Sequence, residues 1–262
     1  MWGAATVACA FGFLSLKAQR ALKARWSRQL LDAVGVRLHV AGAPPAVGFL
    51  VSNHISWLDI YAINALAPTA FVSKDDVRSW PVIGWFSTHT ETIFLERGSR
   101  AAAMRAKDCL VRALRSRTRV GVYPEGTTTE GDAVLPFHSA LFESAIEAGA
   151  AVLPTALRYT GRDGSPSRAA AYVGNTSLWQ SLRAVVTASG LTVHVAFLPA
   201  IDPAGLDRRQ LAHRAHALIA SRLVRPGADT AVETPDDLPA APPSGCRPTG
   251  SPNPAPADSL SA

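Results

Sequence analysis

The sequence predicts an α/β domain, and three observations predict it. Short β-branched apolar runs alternate with longer Ala-, Leu- and Arg-rich stretches of helical period. Four of those runs end in a polar or charged group: His54, Lys74, Arg97 and Glu125. From Arg225 onward the large apolar residues almost vanish. At 262 residues and 48% hydrophobic, the chain suits one such domain with a substantial core, plus tails.

The elements follow in order. Trp2 to Leu16 is uncharged and largely apolar, and Lys17, Arg20, Lys23, Arg25 and Arg28 come after it. As a helix, fifteen residues rise about 22 Å, short of a bilayer core of about 30 Å. No charged region precedes the stretch and no clear cleavage site follows, so a signal peptide fits poorly. A helix lying in the membrane interface, or a shallow insertion anchored by the basic residues, is the expectation for 1–34. Its alternative is a soluble helix packed on the domain. Residues 26–34 read as helix, Gly35 as its stop and Val36 to Val40 as a strand.

Val47 to Val51 is an apolar run that ends in Ser52-Asn53-His54, and a helix runs from there to about Leu66. Further strands are predicted at Phe71–Ser73, Ile93–Leu95, Arg119–Tyr123, Ala151–Tyr159 and Leu191–Leu198. Helices are predicted over 100–117, 140–147 and 207–224. The domain is thus 35–224. Residues 225–262, rich in Pro, Ala, Ser, Asp and Gly, cannot bury enough surface to offset ordering entropy.

Composition excludes some functions. The formal net charge is +6, without a dense basic run interleaved with aromatics, so nucleic acid is not an expected partner and an anionic membrane surface is. The three cysteines, Cys9, Cys109 and Cys246, are odd in number and widely spaced, with no metal-ligand pattern.

His54 and Asp59 are the leading catalytic candidates. Residues five apart on one helix point about 140° away from each other, so this pair meets only across a strand–turn–helix junction. Such a junction is where open α/β sheets place their chemistry. A carboxylate fixes the imidazole tautomer and stabilises the imidazolium that a general base becomes. The plainer alternative is a capping box, Ser56-x-x-Asp59, in which Asp59 only satisfies a backbone N–H. Singly, Lys74, Arg97 and Glu125 read as surface or turn residues. Together, at strand ends, they could line one cleft for an anionic substrate.

Asn53-His54-x-Ser56-Trp57-x-Asp59 resembles the signature block of the glycerolipid acyltransferases, the lysophosphatidic acid acyltransferase family. Ile93-Phe94-Leu95-Glu96-Arg97, Tyr123-Pro124-Glu125-Gly126-Thr127 and, more loosely, Val152-Leu153-Pro154 resemble the next three blocks, in order. Phe71 to Lys74 and the Pro81…Gly84 turn also match, so the resemblance spans roughly residues 20–224.

The resemblance implies a mixed central β-sheet flanked by helices. It implies acyl transfer from acyl-CoA or acyl carrier protein to the hydroxyl of 1-acylglycerol 3-phosphate, at the cytoplasmic face of the inner membrane. His54 would act as base and Asp59 would orient it. Lys74 and Arg97 would hold the phosphate, while Glu125, Gly126 and Thr127 would shape the acceptor site. No cofactor, metal or acyl-enzyme is implied, and the oxyanion donors are expected among N–H groups near the His54 turn.

Two departures stand out. Thr128, followed by Thr129, occupies the place where many relatives carry Arg, and Glu91 stands where a Gly often opens the second block. The first departure opens lyso-ornithine lipid as an alternative acceptor. A non-enzymatic membrane protein would leave the His/Asp pair unexplained. A hydrolase lacks a G-x-S-x-G elbow. A metal site from His54, Asp59, His89 and Glu91 has no recognisable spacing.

Overall fold

A computed structural model describes residues 14–44, 46–74, 93–95 and 100–224, with backbone alone at 73–74, 94–95, 100–101 and 103. Arg97, Glu96, the 80–85 turn, His89, Glu91, the apolar stretch up to residue 13 and the 225–262 tail lie outside the described residues.

Among the described residues the seven strands are β1 (Arg37–Ala41), β2 (Phe49–Ser52), β3 (Ala70–Lys74), β4 (Ile93–Leu95), β5 (Val120–Val122), β6 (Val152–Thr160) and β7 (Thr192–Phe197). They form one sheet in the order β1-β7-β6-β2-β5-β3-β4. β6, β2, β5, β3 and β4 run parallel. β7 is antiparallel to β6 and parallel to β1, so the sheet is mixed, as the resemblance implies.

Helices cover both faces. Successive strand residues point to opposite faces, and β2 shows it. Leu50 joins a core with Leu31, Leu58, Ile63, Leu157, Tyr159 and Val185. Phe49 and Val51 join the opposite core with Leu110, Val120, Val122, Phe142, Leu211 and Ile219. The first core is roofed by α1 (Leu16–Ala33), α2 (Leu58–Leu66) and α5 (Leu178–Thr187), the second by α3 (Arg100–Arg115), α4 (Glu143–Ala148) and α6 (Arg208–Val224). Every residue of β2 is buried, as expected of a central parallel strand.

Two helices differ from the sequence reading. α1 is one helix from Leu16 to Ala33, packed on α2, and it belongs to the domain. Its Lys23 is buried, and the ammonium donates to the Thr69 carbonyl at 2.6 Å. Lys17, Arg25 and Arg28 remain exposed. No described helix is long and apolar enough to cross a membrane. α5 is absent from the sequence reading, although a capping-box signal marks its start: Ser177 Oγ accepts from Gln180 N–H while Gln180 Oε1 accepts from Ser177 N–H.

Candidate active site

The strand order decides which side chains meet. β2, β5, β3 and β4 are neighbours and parallel, so their C-terminal ends share one sheet edge. His54 follows β2, Glu125 follows β5 and Lys74 closes β3 at that edge. β4 ends there too, two residues before Arg97 in the sequence. The Lys74 side chain, like all of Arg97, lies outside what is described.

Between β2 and α2 the chain turns, and His54 Nδ1 reaches Asp59 Oδ2 at 2.8 Å. A carboxylate accepts only, so Nδ1 carries the proton of this bond, and in the neutral ring the lone pair is on Nε2. The His54 side chain is 19% exposed, whereas Asp59 is 0% exposed. Burying that carboxylate without partners would be costly, and it has four. Oδ2 also accepts from the N–H groups of Ile55 at 2.7 Å and Ser56 at 2.9 Å. Oδ1 accepts from the Tyr159 hydroxyl at 2.7 Å. Asp59 therefore both secures backbone N–H groups at the helix start and holds the imidazole.

Ser56 is fully buried, and its Oγ accepts from Leu58 N–H at 3.3 Å. The N–H groups of His54, Ile55, Ser56 and Leu58 all have acceptors: Glu125 for His54, Asp59 for Ile55 and Ser56, and Ser56 for Leu58.

Glu125 supports the turn from β5. Pro124, whose ring presets φ, and Gly126, at φ +73°, make a tight turn closed by Gly126 N–H to the Tyr123 carbonyl at 3.1 Å. That turn sends the Glu125 carboxylate beneath His54. Oε1 accepts from His54 N–H and Oε2 from Leu135 N–H, each at 2.8 Å. Glu125 is 4% exposed. Burial raises its pKa, while the Leu135 and His54 N–H groups draw it the other way. Both oxygens being occupied, Glu125 sets the backbone on which His54 stands.

An aromatic stack steadies the imidazole ring. Tyr123 lies on His54 with centroids 3.8 Å apart and planes 9° apart, and Phe71 lies on Tyr123 at 5.4 Å and 6°. Gly121 makes room for it, since a Cβ there would come within 2.7 Å of both Phe71 and Thr69. Burial, and then the Asp59 charge, push the Tyr123 and Tyr159 phenols well above their ordinary range, so both stay protonated.

Thr127 is exposed beside this turn. The Thr128 hydroxyl donates to the Tyr172 carbonyl, and Thr129 N–H donates to the His54 carbonyl at 2.8 Å. Tyr172 N–H donates to the Ile55 carbonyl at 2.9 Å, and Trp57 Nε1–H donates to Ser181 Oγ of α5 at 3.0 Å. The 127–131 loop, the 170–173 loop and α5 thus converge on the His54 turn.

Three contributors escape the sequence reading. Tyr159 is a strand residue there, Tyr123 part of a block and Asn53 a neighbour of His54. Asn53 in fact extends the β2 edge with its side chain, donating to the Leu157 carbonyl at 2.9 Å and accepting from Leu157 N–H at 2.8 Å. Period-two patterning on β6 was the available signal for Tyr159, since it shares a face with Leu157 and Leu153. No group of metal-ligating residues occurs among the described residues.

Comparison with known proteins agrees with this arrangement. Residues 40–158 match the family model described as Acyltransferase, a span that includes His54, Asp59 and Glu125. A lyso-ornithine lipid O-acyltransferase of Pseudomonas aeruginosa is 37% identical over 206 residues, covering 78% of this chain and 79% of that protein. A 1-acyl-sn-glycerol-3-phosphate acyltransferase of Neisseria meningitidis is 37% identical over 188 residues, covering 70% and 72%. The crystal structure of the 1-acyl-sn-glycerophosphate (LPA) acyltransferase PlsC from Thermotoga maritima shares the fold, with TM-score 0.67 over 87% of this chain and 90% of that one, at 19% identity. With the His54–Asp59 junction, the mixed sheet and relatives matched over most of their length, this chain belongs to the acyltransferase family.

Proposed function

We propose that the chain transfers a fatty acyl group from an acyl thioester, on CoA or acyl carrier protein, to the hydroxyl of 1-acylglycerol 3-phosphate, forming phosphatidic acid. The observation that carries this is the His54 imidazole, held through Nδ1 by a fully buried carboxylate and partly exposed at the sheet edge. Nε2 takes the acceptor's hydroxyl proton as its oxygen attacks the thioester carbonyl. The new C–O bond forms, the C–S bond breaks, and the leaving thiolate takes the proton from the imidazolium. Asp59 stabilises that imidazolium. An activated thioester and a positioned alcohol suffice without a covalent enzyme intermediate, and buried Ser56 is not a nucleophile in this scheme. The step needs no metal or organic cofactor.

Lys74 and Arg97 hold the acceptor phosphate in this reading. Two cations following neighbouring parallel strands suit a group carrying close to two negative charges. Thr127 and Gly126 border the acceptor beside them. The enzyme works on the cytoplasmic membrane face, held by the apolar stretch ahead of Leu16 and its basic neighbours. The named activity of the Neisseria meningitidis relative supports this acceptor.

One observation favours a second acceptor, lyso-ornithine lipid. By the family resemblance Thr128 stands where many relatives carry Arg, and its hydroxyl is spent on the Tyr172 carbonyl. The Pseudomonas aeruginosa relative bears that name. The two are separated by turnover of both acceptors on wild type and Thr128→Arg. Faster phosphatidic acid formation by wild type, retained in Thr128→Arg, supports the first. Faster acylation of lyso-ornithine lipid, lost when the added cation faces its ammonium, establishes the second. Acylation of neither acceptor refutes the proposal.

A further inference from the structure

The α5 helix ends at the catalytic edge of the sheet. β6 runs parallel to β2, so its end at Thr160 shares the edge where His54 stands, and Thr160 pairs with Thr192, where β7 begins. α5 leads into that start through Ala188 to Leu191. It is also tied to the catalytic turn, since Ser181 Oγ accepts from Trp57 Nε1–H at 3.0 Å. Ser181 and Val185 are its buried residues and face the core. At about 100° per residue, Trp179, Arg183 and Val186 fall within about 60° of one another on the face turned away from it. Trp179 is 73% exposed and Val186 57%.

Single exposed apolar residues need no explanation, but a surface helix normally turns its polar residues outward. On α5 the outermost positions are an indole and an isopropyl group on either side of an arginine, and half-buried Leu182 flanks them. Leu135, 40% exposed, stands at the same edge, where its N–H holds Glu125. The charge of this part of the chain has one sign. From Gly164 to Ile201 the sequence holds no Asp or Glu. Arg183 is exposed, and so is Arg162, which packs against Gly190 just beyond the helix, where an added Cβ would come within 2.9 Å of its own. An aromatic amphipathic ring, aliphatic groups and arginine on one helix face suit the headgroup region of an anionic bilayer.

We propose that the outer face of α5 is a membrane contact, which seats in the interface of an anionic bilayer and turns the catalytic edge to the lipid surface. The inference rests on the proposed reaction, whose acceptor is a bilayer lipid. α1 enters the fold at the opposite edge, where Arg20 and Lys23 reach Thr118 and Thr69, just ahead of β5 and β3. An anchor joined there does not by itself aim His54 at lipid. The α5 face does, because it is bonded to the turn that carries His54.

The test places an environment-sensitive fluorescent label on Trp179→Cys in the full chain, with Cys9, Cys109 and Cys246 replaced by Ser. The same label on Ala217→Cys is the reference, because Ala217 is exposed on α6, over the other face of the sheet. The probe is a vesicle of equal parts phosphatidylcholine and phosphatidylglycerol, with and without spin-labelled lipid. On adding vesicles the label at 179 should shift to the blue and be quenched by the spin label, and the label at 217 should do neither. In the unlabelled chain, Trp179→Ser should weaken vesicle binding about tenfold. Arg183→Gln should weaken it about fivefold, at about 1 kcal/mol per basic residue at such a surface. A label at 179 that stays unchanged while the chain sediments with the vesicles overturns the contact. So does a chain that binds no vesicles, or a label at 217 that responds equally. A label at 179 already in an apolar setting before vesicles are added overturns it too, since another part of the chain or a second copy then covers the face. No substrate is present in these measurements, so a failure of acyl transfer would sink the proposed reaction and leave their result standing.

Discussion

Tyr159→Phe isolates the contact that a side chain 100 positions away makes with the Asp59 carboxylate. The substitution removes one oxygen and leaves the ring in place. Tyr159 is 2% exposed, so it cannot touch substrate. Its hydroxyl supplies the only described bond to Asp59 Oδ1, while Oδ2 keeps His54, Ile55 and Ser56. A hydrogen bond to a buried charged group contributes about 1.5–3 kcal/mol, and leaving the oxygen unsatisfied costs a similar amount. At about 1.4 kcal/mol per decade, kcat should fall at least tenfold with KM for both substrates close to wild type. The melting temperature should drop by roughly 3–12 °C for a domain of this size. A cycle with Asp59→Asn sharpens the test, because residues acting through one another are not additive. In the Asp59→Asn background, Tyr159→Phe should change kcat very little. A lower melting temperature with unchanged kcat, or strictly additive effects, would refute a positioning role for Tyr159.

Further outcomes follow from other parts of the structure. Asp59→Asn should reduce kcat by several orders of magnitude, about 10⁴ in the comparable triad substitution, because the amide favours the wrong imidazole tautomer; activity near wild type would leave His54 without its partner. Gly121→Ala should destabilise the domain by about 1–3 kcal/mol, because the added methyl collides with Phe71 and Thr69 beneath the aromatic stack; denaturant unfolding checks it. His194, lowered from 6.5 to about 4, takes up its proton more readily unfolded than folded. Stability should therefore be full above pH 6.5 and be lost progressively as pH falls towards 4. His194→Gln should flatten that part of a melting-temperature profile. Removing residues 1–13 should move the protein from the membrane to the soluble fraction, and unchanged membrane binding would place the anchor elsewhere.

What the sequence disclosed follows the range of each interaction. The His54–Asp59 junction is legible because strand, turn and helix start are contiguous and a spacing of five demands the turn. The strand-end rule located Glu125 and Lys74 at the same edge, since β2, β5 and β3 are parallel neighbours. Tyr159 is not legible in that way. Its contact depends on β6 lying beside β2, a pairing that no local pattern states. The partners of Glu125 are hidden from the sequence for the same reason. A turn residue expected at the acceptor site has both oxygens on backbone N–H groups, one of them ten residues ahead at Leu135. Lys23 reads as a membrane-facing cation, yet its ammonium finds a carbonyl in the fold and is buried there. The helix Leu178–Thr187 carries a readable start signal, but its exposed Trp179 and Val186 blur the amphipathic pattern.

If the His54 imidazole is the base for acyl transfer, His54→Ala removes the group that takes the proton. The side chain is partly exposed, and its one described hydrogen bond is to Asp59, so its loss should leave the domain folded. Single-turnover acyl transfer from a labelled thioester to a lysolipid should fall by about 10²–10⁴-fold, the usual contribution of a positioned general base. The circular dichroism spectrum and the affinity for the thioester should stay unchanged. A folded His54→Ala protein that transfers acyl groups within a few-fold of wild type would contradict the account.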